Sequence, residues 1–378
     1  MKYPIGIQDF EDLQRNGYAY VDKTNFVYKL ADEGKYYFLS RPRRFGKSLF
    51  LSTLEAYFQG KKELFEGLAI YDLETEWKKY PIFHIDLNTA NFREKDSLYM
   101  VLNDYLTTWE SKYGTRESEA TLALRFKGVI ARAAEKEGCG VVILIDEYDK
   151  PILQTLRDPE LQAEHRAQLK AFYSVLKTQD RYIKFAFLTG VTKFGKVSVF
   201  SDLNNLTDIS MDHRYISICG MTEKELLTNF KEGISELAEA NGDSETETIA
   251  KISMRYAGYH FEENSEEIYN PFSVLNTLAN SRYDDYWFKA NTHTFLIDIL
   301  KKHDYCITNL SKAQIKANMM NNVETNPFPV IYQGGYLTIK SYDERFKNYQ
   351  LGFPNKEVEE GILNTLLPHG CKTAEMDC

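Results

Sequence analysis

The chain is poor in cysteine. Its 378 residues hold five, at Cys139, Cys219, Cys306, Cys371 and Cys378. They are odd in number, scattered, and form no Cys-x-x-Cys pair. This argues against a disulfide framework and a thiolate zinc site and points to reduced thiols in a cytoplasm. The seven histidines show no metal-ligand spacing; His84, between Phe83 and Ile85, reads as a sheet or core residue. No apolar run approaches a membrane span. The N-terminus has no basic segment leading into an apolar stretch, so no secretory leader is expected. Positive charge is not in excess: 46 Lys and Arg face 55 Asp and Glu, a formal charge of −9. No global field drives such a chain onto nucleic acid, and any contact of that kind needs a local basic patch. Internal repeats and long low-complexity segments are missing too. Aromatics are abundant, with 26 Tyr and 23 Phe, and 43% of residues are apolar, ample for a core. This length suits two or three compact units.

One stretch organises the rest: Tyr36-Tyr37-Phe38-Leu39-Ser40-Arg41-Pro42-Arg43-Arg44-Phe45-Gly46-Lys47-Ser48-Leu49-Phe50. It reads as a short apolar strand, a tight basic loop and a helix start. Gly46-Lys47-Ser48 has the ending of a phosphate-binding loop. There the backbone N–H groups from Arg43 to Leu49 face the phosphates, the lysine reaches the β and γ phosphates, and the serine hydroxyl sits on Mg²⁺. The usual first glycine is replaced by Arg41. The tripeptide alone is weak, because a solvated basic helix start has the same letters. The strand before it and the apolar run after it (Leu49, Leu51, Leu54, Tyr57, Phe58) strengthen the phosphate-loop reading.

A second stretch decides between the two. Val141-Val142-Ile143-Leu144-Ile145 ends in Asp146 and Glu147. A continuous β-branched run suits a buried central strand of a parallel sheet, and ligands bind at the carboxyl ends of such strands. Asp146 is then placed to hold Mg²⁺ with Ser48, and Glu147 to polarise an attacking water. In isolation the pair could simply begin a solvated loop before Pro151.

These segments resemble the AAA-ATPase-like family, whose phosphate loop reads Arg-Pro-Arg-Arg-Phe-Gly-Lys-Ser. Residues carrying the resemblance include Gly6 to Phe10, Tyr20 to Thr24, Ser40 to Leu49, Ile143 to Lys150 and Leu188 to Phe194. Tyr269 to Ser273 and Tyr332 to Leu337 extend it over nearly the whole chain, to about Pro368. In that family the missing first glycine is normal. The resemblance implies a P-loop NTPase that binds ATP with Mg²⁺. It also implies that a polar residue at the end of a later strand senses the γ-phosphate; Thr189 holds that place, with Thr192 and Lys193 behind it, and satisfying a strand-end backbone group is the equal alternative for Thr189. Many relatives continue into a PD-(D/E)xK nuclease. Nothing after Gly335 offers its Asp and Glu-x-Lys strands, so nuclease activity is not expected, and the chain reads as the ATPase and its lid without the nuclease, either naturally short or the ATPase portion of a truncated ATPase-nuclease.

In chain order, Asp22 reads as a helix cap for Asn25 to Ala31. Ile7, Phe10, Tyr20 and Asp22 are candidates for the neighbourhood of the adenine, with sheet-edge packing the alternative. Strands are expected at Pro81 to Leu87, Val141 to Ile145, Tyr182 to Val191 and Arg214 to Cys219. Helices are expected at Asp96 to Tyr113, Glu117 to Glu137 and Leu161 to Thr178. This alternation predicts an α/β fold, a parallel sheet covered by helices on both faces. Arg214 is either an arginine finger or a lone surface arginine. The domains expected are an ATPase core over 1–220, a helical lid over 221–320, a winged-helix-like unit over 321–368 and a frayed tail over 369–378. The acidic tip of the hairpin from Tyr336 to Phe353 favours an intramolecular brake over DNA binding. The expected function is ATP hydrolysis coupled to lid movement in the cytoplasm, without a membrane. An unidentified protein partner and a homo-oligomer remain compatible with it. A nucleotide switch with negligible turnover is the rival reading.

Overall fold

The structure, a computed structural model, describes residues 1–193, 205–290, 296–297, 299–300, 310, 313–320 and 326–366. The sequence also suggests a loop at Phe200 to Leu206 and a polar break at Asn321 to Asn326, and both fall largely outside these residues. The expected tail from His369 falls wholly outside them, as do Cys306, Cys371 and Cys378.

Five strands form a parallel sheet in the order β2-β3-β4-β1-β5: β1 Tyr36–Ser40, β2 Ile82–Asp86, β3 Val141–Asp146, β4 Ile183–Gly190 and β5 Thr207–Asp208. Every residue of β1 and β3 is buried. Strands without polar alternation need cover on both faces, and helices supply it. The register places Ser40 beside Gly190 and Asp86 beside Asp146. The carboxyl ends of the central strands therefore share one edge, where the loop after β1 also emerges.

The expected helices form with adjusted ends. One spans Ser97–Tyr113. The next starts at Leu122 rather than Glu117, because the Thr121 side chain accepts the Leu124 N–H and caps it. The run expected from Leu161 to Thr178 is two helices, Pro159–Tyr173 and Val175–Thr178, the first capped by Asp158. Asp22 is not the cap of Thr24–Glu33: the N-cap is Lys23, which makes no side-chain cap bond, and Asp22, one residue earlier, accepts the Thr24 N–H at 2.8 Å. The strand expected at Arg214 to Cys219 is instead a 3₁₀ segment, His213–Ile218, and β5 takes the sheet edge. Asp212 caps that segment by accepting the Arg214 N–H, and the carbonyls of Tyr215 and Ile216 turn to a buried guanidinium rather than to a neighbouring strand.

From Thr222 to Lys289 the described residues are mainly helical. Capping boxes at Thr222 with Glu225 and at Ser244 with Glu247 start two of these helices. Their apolar faces make a separate core around Leu226, Leu237, Ile252 and Leu278. A second sheet follows, antiparallel and ordered β6-β8-β7: β6 Gln314–Lys316, β7 Thr338–Asp343 and β8 Asn348–Gly352. The expected hairpin is β7–β8, and β6, on the lid side of the expected boundary at 320, pairs with it. Leu337, Leu351 and Val358 of this unit share one apolar core with Phe38 and Leu144 of the parallel sheet.

Glu357, at the start of helix Lys356–Leu366, joins three helices. It accepts from Ser273 Oγ at 2.8 Å and from the Trp287 N–H at 2.8 Å. Burial pushes its carboxyl from 4.5 up to about 7, against the lowering effect of the Ser273 bond. A carboxyl raised on folding favours the protonated native state, so its stabilisation is full at acid pH and is lost as pH rises from about 4.5 to about 7. The shift corresponds to about 3 kcal/mol. We expect wild type to lose that much stability relative to Glu357→Gln between pH 5 and pH 8 in urea unfolding. Parallel pH profiles for the two proteins would contradict this.

Candidate functional site

The loop after β1 turns on two left-handed residues, Arg44 at φ 65° and Gly46 at φ 92°. Gly46 begins helix Lys47–Phe58. This delivers Lys47 and Ser48 to the carboxyl edge of the sheet, where β3 delivers Asp146. Ser48 Oγ donates to Asp146 Oδ2 at 2.5 Å, and Thr189 Oγ1 donates to Asp146 Oδ1 at 2.5 Å. The Glu147 N–H also donates to Oδ1, at 3.0 Å. Burial and the charge of Glu147 raise the Asp146 pKa, while Lys47 and the two hydroxyls oppose the rise. Lys47 is buried and its Nζ lies 3.2 Å from Glu147 Oε1, with further bonds to the carbonyls of Arg41 and Pro42. Burial raises the Glu147 pKa, but Lys47 and then Arg43 outweigh it and hold the carboxyl low. The two segments proposed from sequence thus meet.

Beside them opens a cavity of about 830 Å³. The loop contributes Arg43, Arg44, Gly46, Lys47, Ser48 and Leu49. Glu147 and Lys150 come from the end of β3, Asn88 and Arg93 from the segment after β2, and Phe272 and Asn276 from the helical region. Its size is that of a small-molecule or cofactor site. Ser48 lines it and joins Asp146, a second hard oxygen donor, just behind the lining. Mg²⁺ is held in such a setting by one or two protein oxygens, phosphate oxygens and waters, so the residues fit that ion. Among the described residues no group of three His, Cys, Asp or Glu is arranged to hold a metal.

Other expected site residues sit differently. Thr189 is fully buried, does not line the cavity and gives its hydroxyl to Asp146. Thr192 and Lys193 serve Asp149 and Asp208, at 2.7 and 2.9 Å. The Phe45 ring is buried against Tyr259 and Phe261, centroids 4.9 and 5.8 Å away, and Phe45 does not line the cavity. Of the four residues considered for the adenine, Ile7 lines the cavity. Phe10 packs on Tyr20 in the core, and Asp22 accepts from Thr24 and from the Ala69 N–H. Arg214 is held by Asp212 at 2.6 Å and does not line the cavity, so it is not placed to serve this chain's own site.

Arg41 was open in the sequence, and its place gives it a role. Its guanidinium is buried and donates to the carbonyls of Ser40, Ser210, Tyr215 and Ile216 at 2.7 to 3.3 Å. Phe261 covers it at 4.0 Å. Burial lowers its pKa to about 10. Asp149 was also missed: it accepts the N–H groups of Val191 and Thr192 behind Asp146, and burial raises it to about 6. Its sole sequence signal was its position three residues after Asp146.

A basic loop between a buried strand and a helix, facing a carboxylate at the end of a neighbouring parallel strand, defines the P-loop class of nucleotide-binding proteins. A family model described as a predicted AAA-ATPase, AAA-ATPase-like, matches residues 4–200, just over half the chain. The chain is 38% identical over 372 residues to an uncharacterised protein in the vnfD 5′ region of Azotobacter chroococcum mcd 1. That match covers 97% of this chain and 70% of the other. The protein belongs to the AAA-ATPase-like family. A solved structure of the Aeropyrum pernix ORC2 protein, as ADPNP and ADP complexes, is 12% identical. It covers 95% of this chain and 94% of that one at a TM-score of 0.31, too low to establish a shared fold.

Replacing Arg41 by the glycine of the usual loop strands carbonyls of Ser210, Tyr215 and Ile216. We expect Arg41→Gly to lose about 3–5 kcal/mol of stability, with Arg41→Lys recovering part. Chemical unfolding measures this, and a loss under about 1 kcal/mol, the worth of one ordinary hydrogen bond, would contradict it.

Proposed function

We propose that the protein binds ATP with Mg²⁺ and hydrolyses it. The observation that carries this reading is the meeting of Ser48 with Asp146 and of Lys47 with Glu147. Lys47 and the N–H groups of the loop, from Arg43 to Leu49, take the phosphate charge. Ser48 and Asp146 would hold Mg²⁺, which when bound neutralises the β and γ oxygens. Thr189 acts through Asp146, fixing the direction of that carboxylate. Glu147 is paired with Lys47 when no phosphate is present. A triphosphate competes for the Lys47 ammonium and frees Glu147 to accept a hydrogen bond from water. The water oxygen then bonds to the γ-phosphorus as the bond to the β–γ bridging oxygen breaks. ADP leaves with that electron pair, and the water proton passes by way of Glu147 to the phosphate product. Positioning and preorganised charge carry most of the rate.

A second reading is a switch that binds ATP and turns over negligibly. It is favoured by contacts from the loop to the chain after residue 220. Trp287 Nε1 donates to the Arg43 carbonyl at 2.9 Å, Arg44 lies over Phe272 at 5.1 Å, and Gly335 abuts Pro42. Loop occupancy can reach the lid through these contacts with or without hydrolysis.

We expect Lys47→Ala to lose ATP binding and turnover. Glu147→Gln should keep ATP binding while its single-turnover rate falls about 100-fold or more. Nucleotide binding by equilibrium titration and single-turnover hydrolysis check both. Turnover by Lys47→Ala at the wild-type level would sink the assignment, and a wild type that binds ATP but hydrolyses no faster than Glu147→Gln would favour the switch.

A further inference from the structure

Phosphoryl transfer needs positive charge on the γ-phosphate as its bond to ADP loosens, and many ATPases take that charge from an arginine of another subunit. Here the cavity already carries surplus cations. After Lys47, the positive charges acting on Glu147 are those of Arg43 and Lys150. Both line the cavity, and each feels the other closely enough that Arg43 helps depress the Lys150 ammonium, after burial.

Lys150 is aimed by a specific turn. Glu147 is left-handed, at φ 53°, and bends the chain as it leaves β3. The Tyr148 N–H then ties to the Thr189 carbonyl at 3.0 Å, and the Lys150 N–H returns to the Glu147 carbonyl at 3.0 Å. Asp149 points inward to Val191 and Thr192, so the next side chain, Lys150, points out to the cavity. Its Nζ donates to the carbonyl and side-chain oxygens of Asn88 at 2.8 and 2.6 Å. An ammonium has three donors, so one remains for a ligand oxygen. A left-handed non-glycine residue costs backbone energy and is kept where surrounding structure requires it. Arg43 is fixed from the other side, where Trp287 holds its carbonyl.

We propose that Lys150 and Arg43 together supply, in cis, the positive charge that stabilises the departing γ-phosphoryl group, with Asn88 positioning Lys150. This rests on the ATPase reading above. The site then needs no cation from a second subunit. Lys150 contacts a γ-phosphate oxygen as the bond to the β–γ bridging oxygen breaks, the electron pair leaving on ADP and the water proton leaving by way of Glu147. ADP lacks the group that Lys150 meets, so its affinity does not depend on Lys150.

The test uses the full chain as wild type, Lys150→Met, Lys150→Arg and Arg43→Met, each checked for folding by thermal unfolding. ADP and ATP binding are titrated, and single-turnover hydrolysis is followed over a wide range of protein concentration. The wild-type rate per molecule should not change with protein concentration. Lys150→Met should bind ADP as wild type does and hydrolyse ATP about 100-fold more slowly. Lys150→Arg should recover much of that loss. Arg43→Met should show a similar fall and carries the test if Lys150→Met does not fold. Turnover by Lys150→Met near the wild-type rate, or a wild-type rate that climbs with protein concentration, would overturn the assignment. A wild type that binds neither nucleotide would overturn the ATPase reading and this assignment with it, whereas intact ADP binding with unaffected variants overturns the cis assignment alone.

Discussion

The arrangement depends on satisfying one buried carboxylate. Asp146 ends a strand with no exposed residue, so its charge has little water to share. Such a group needs donors or it protonates. It finds three: the hydroxyl of Ser48 from the helix after β1, the hydroxyl of Thr189 from β4 and the N–H of Glu147. Strands β3, β4 and β1 are thereby joined at one edge. The same bonds set the face that Asp146 can offer to a cation. A structural need and a functional one are met by the same three hydrogen bonds.

The basic loop is constrained just as closely, and from both halves of the chain. Arg41 gathers carbonyls from Ser210, Tyr215 and Ile216 beneath the loop. Above it, Phe45 is buried among Tyr259 and Phe261, and its carbonyl accepts the Gly220 N–H at 2.9 Å. Gly335 lies so near that a Cβ there would stand 2.7 Å from Pro42. A loop held in this way is preorganised. It also makes the chain after residue 220 part of the loop's support. Under the proposed ATP reading, Trp287, Phe272 and Gly335 are the residues placed to feel a change in phosphate occupancy.

The parts legible in the sequence were those governed by local patterns. Continuous apolar runs at Tyr36 and Val141 announced buried parallel strands, and Gly46-Lys47-Ser48 announced the helix start. The pairing of Ser48 with Asp146 followed from chemistry that needs both. Long-range partners governed the rest. Arg41 could not be read as a buried strut, because its acceptors lie at Ser210, Tyr215 and Ile216. Those same bonds took the Arg214 to Cys219 run out of the sheet, although its apolar spacing suits a strand. Phe45 sits inside a phosphate-loop motif, yet its ring belongs to an aromatic cluster formed with Tyr259 and Phe261. Lys150 was hidden by its plainness: one lysine among many, aimed by the backbone turn at Glu147.

The central claim is that a triphosphate and its metal lie between the loop and the end of β3. A crystal structure of the full chain with a non-hydrolysable ATP analogue and Mn²⁺ tests it most directly, since anomalous scattering locates the metal without ambiguity. We expect one Mn²⁺ bound by Ser48 Oγ beside Asp146, with the terminal phosphate against the Lys47 ammonium. A metal and triphosphate bound elsewhere, with the Ser48–Asp146 and Lys47–Glu147 contacts undisturbed, would contradict it.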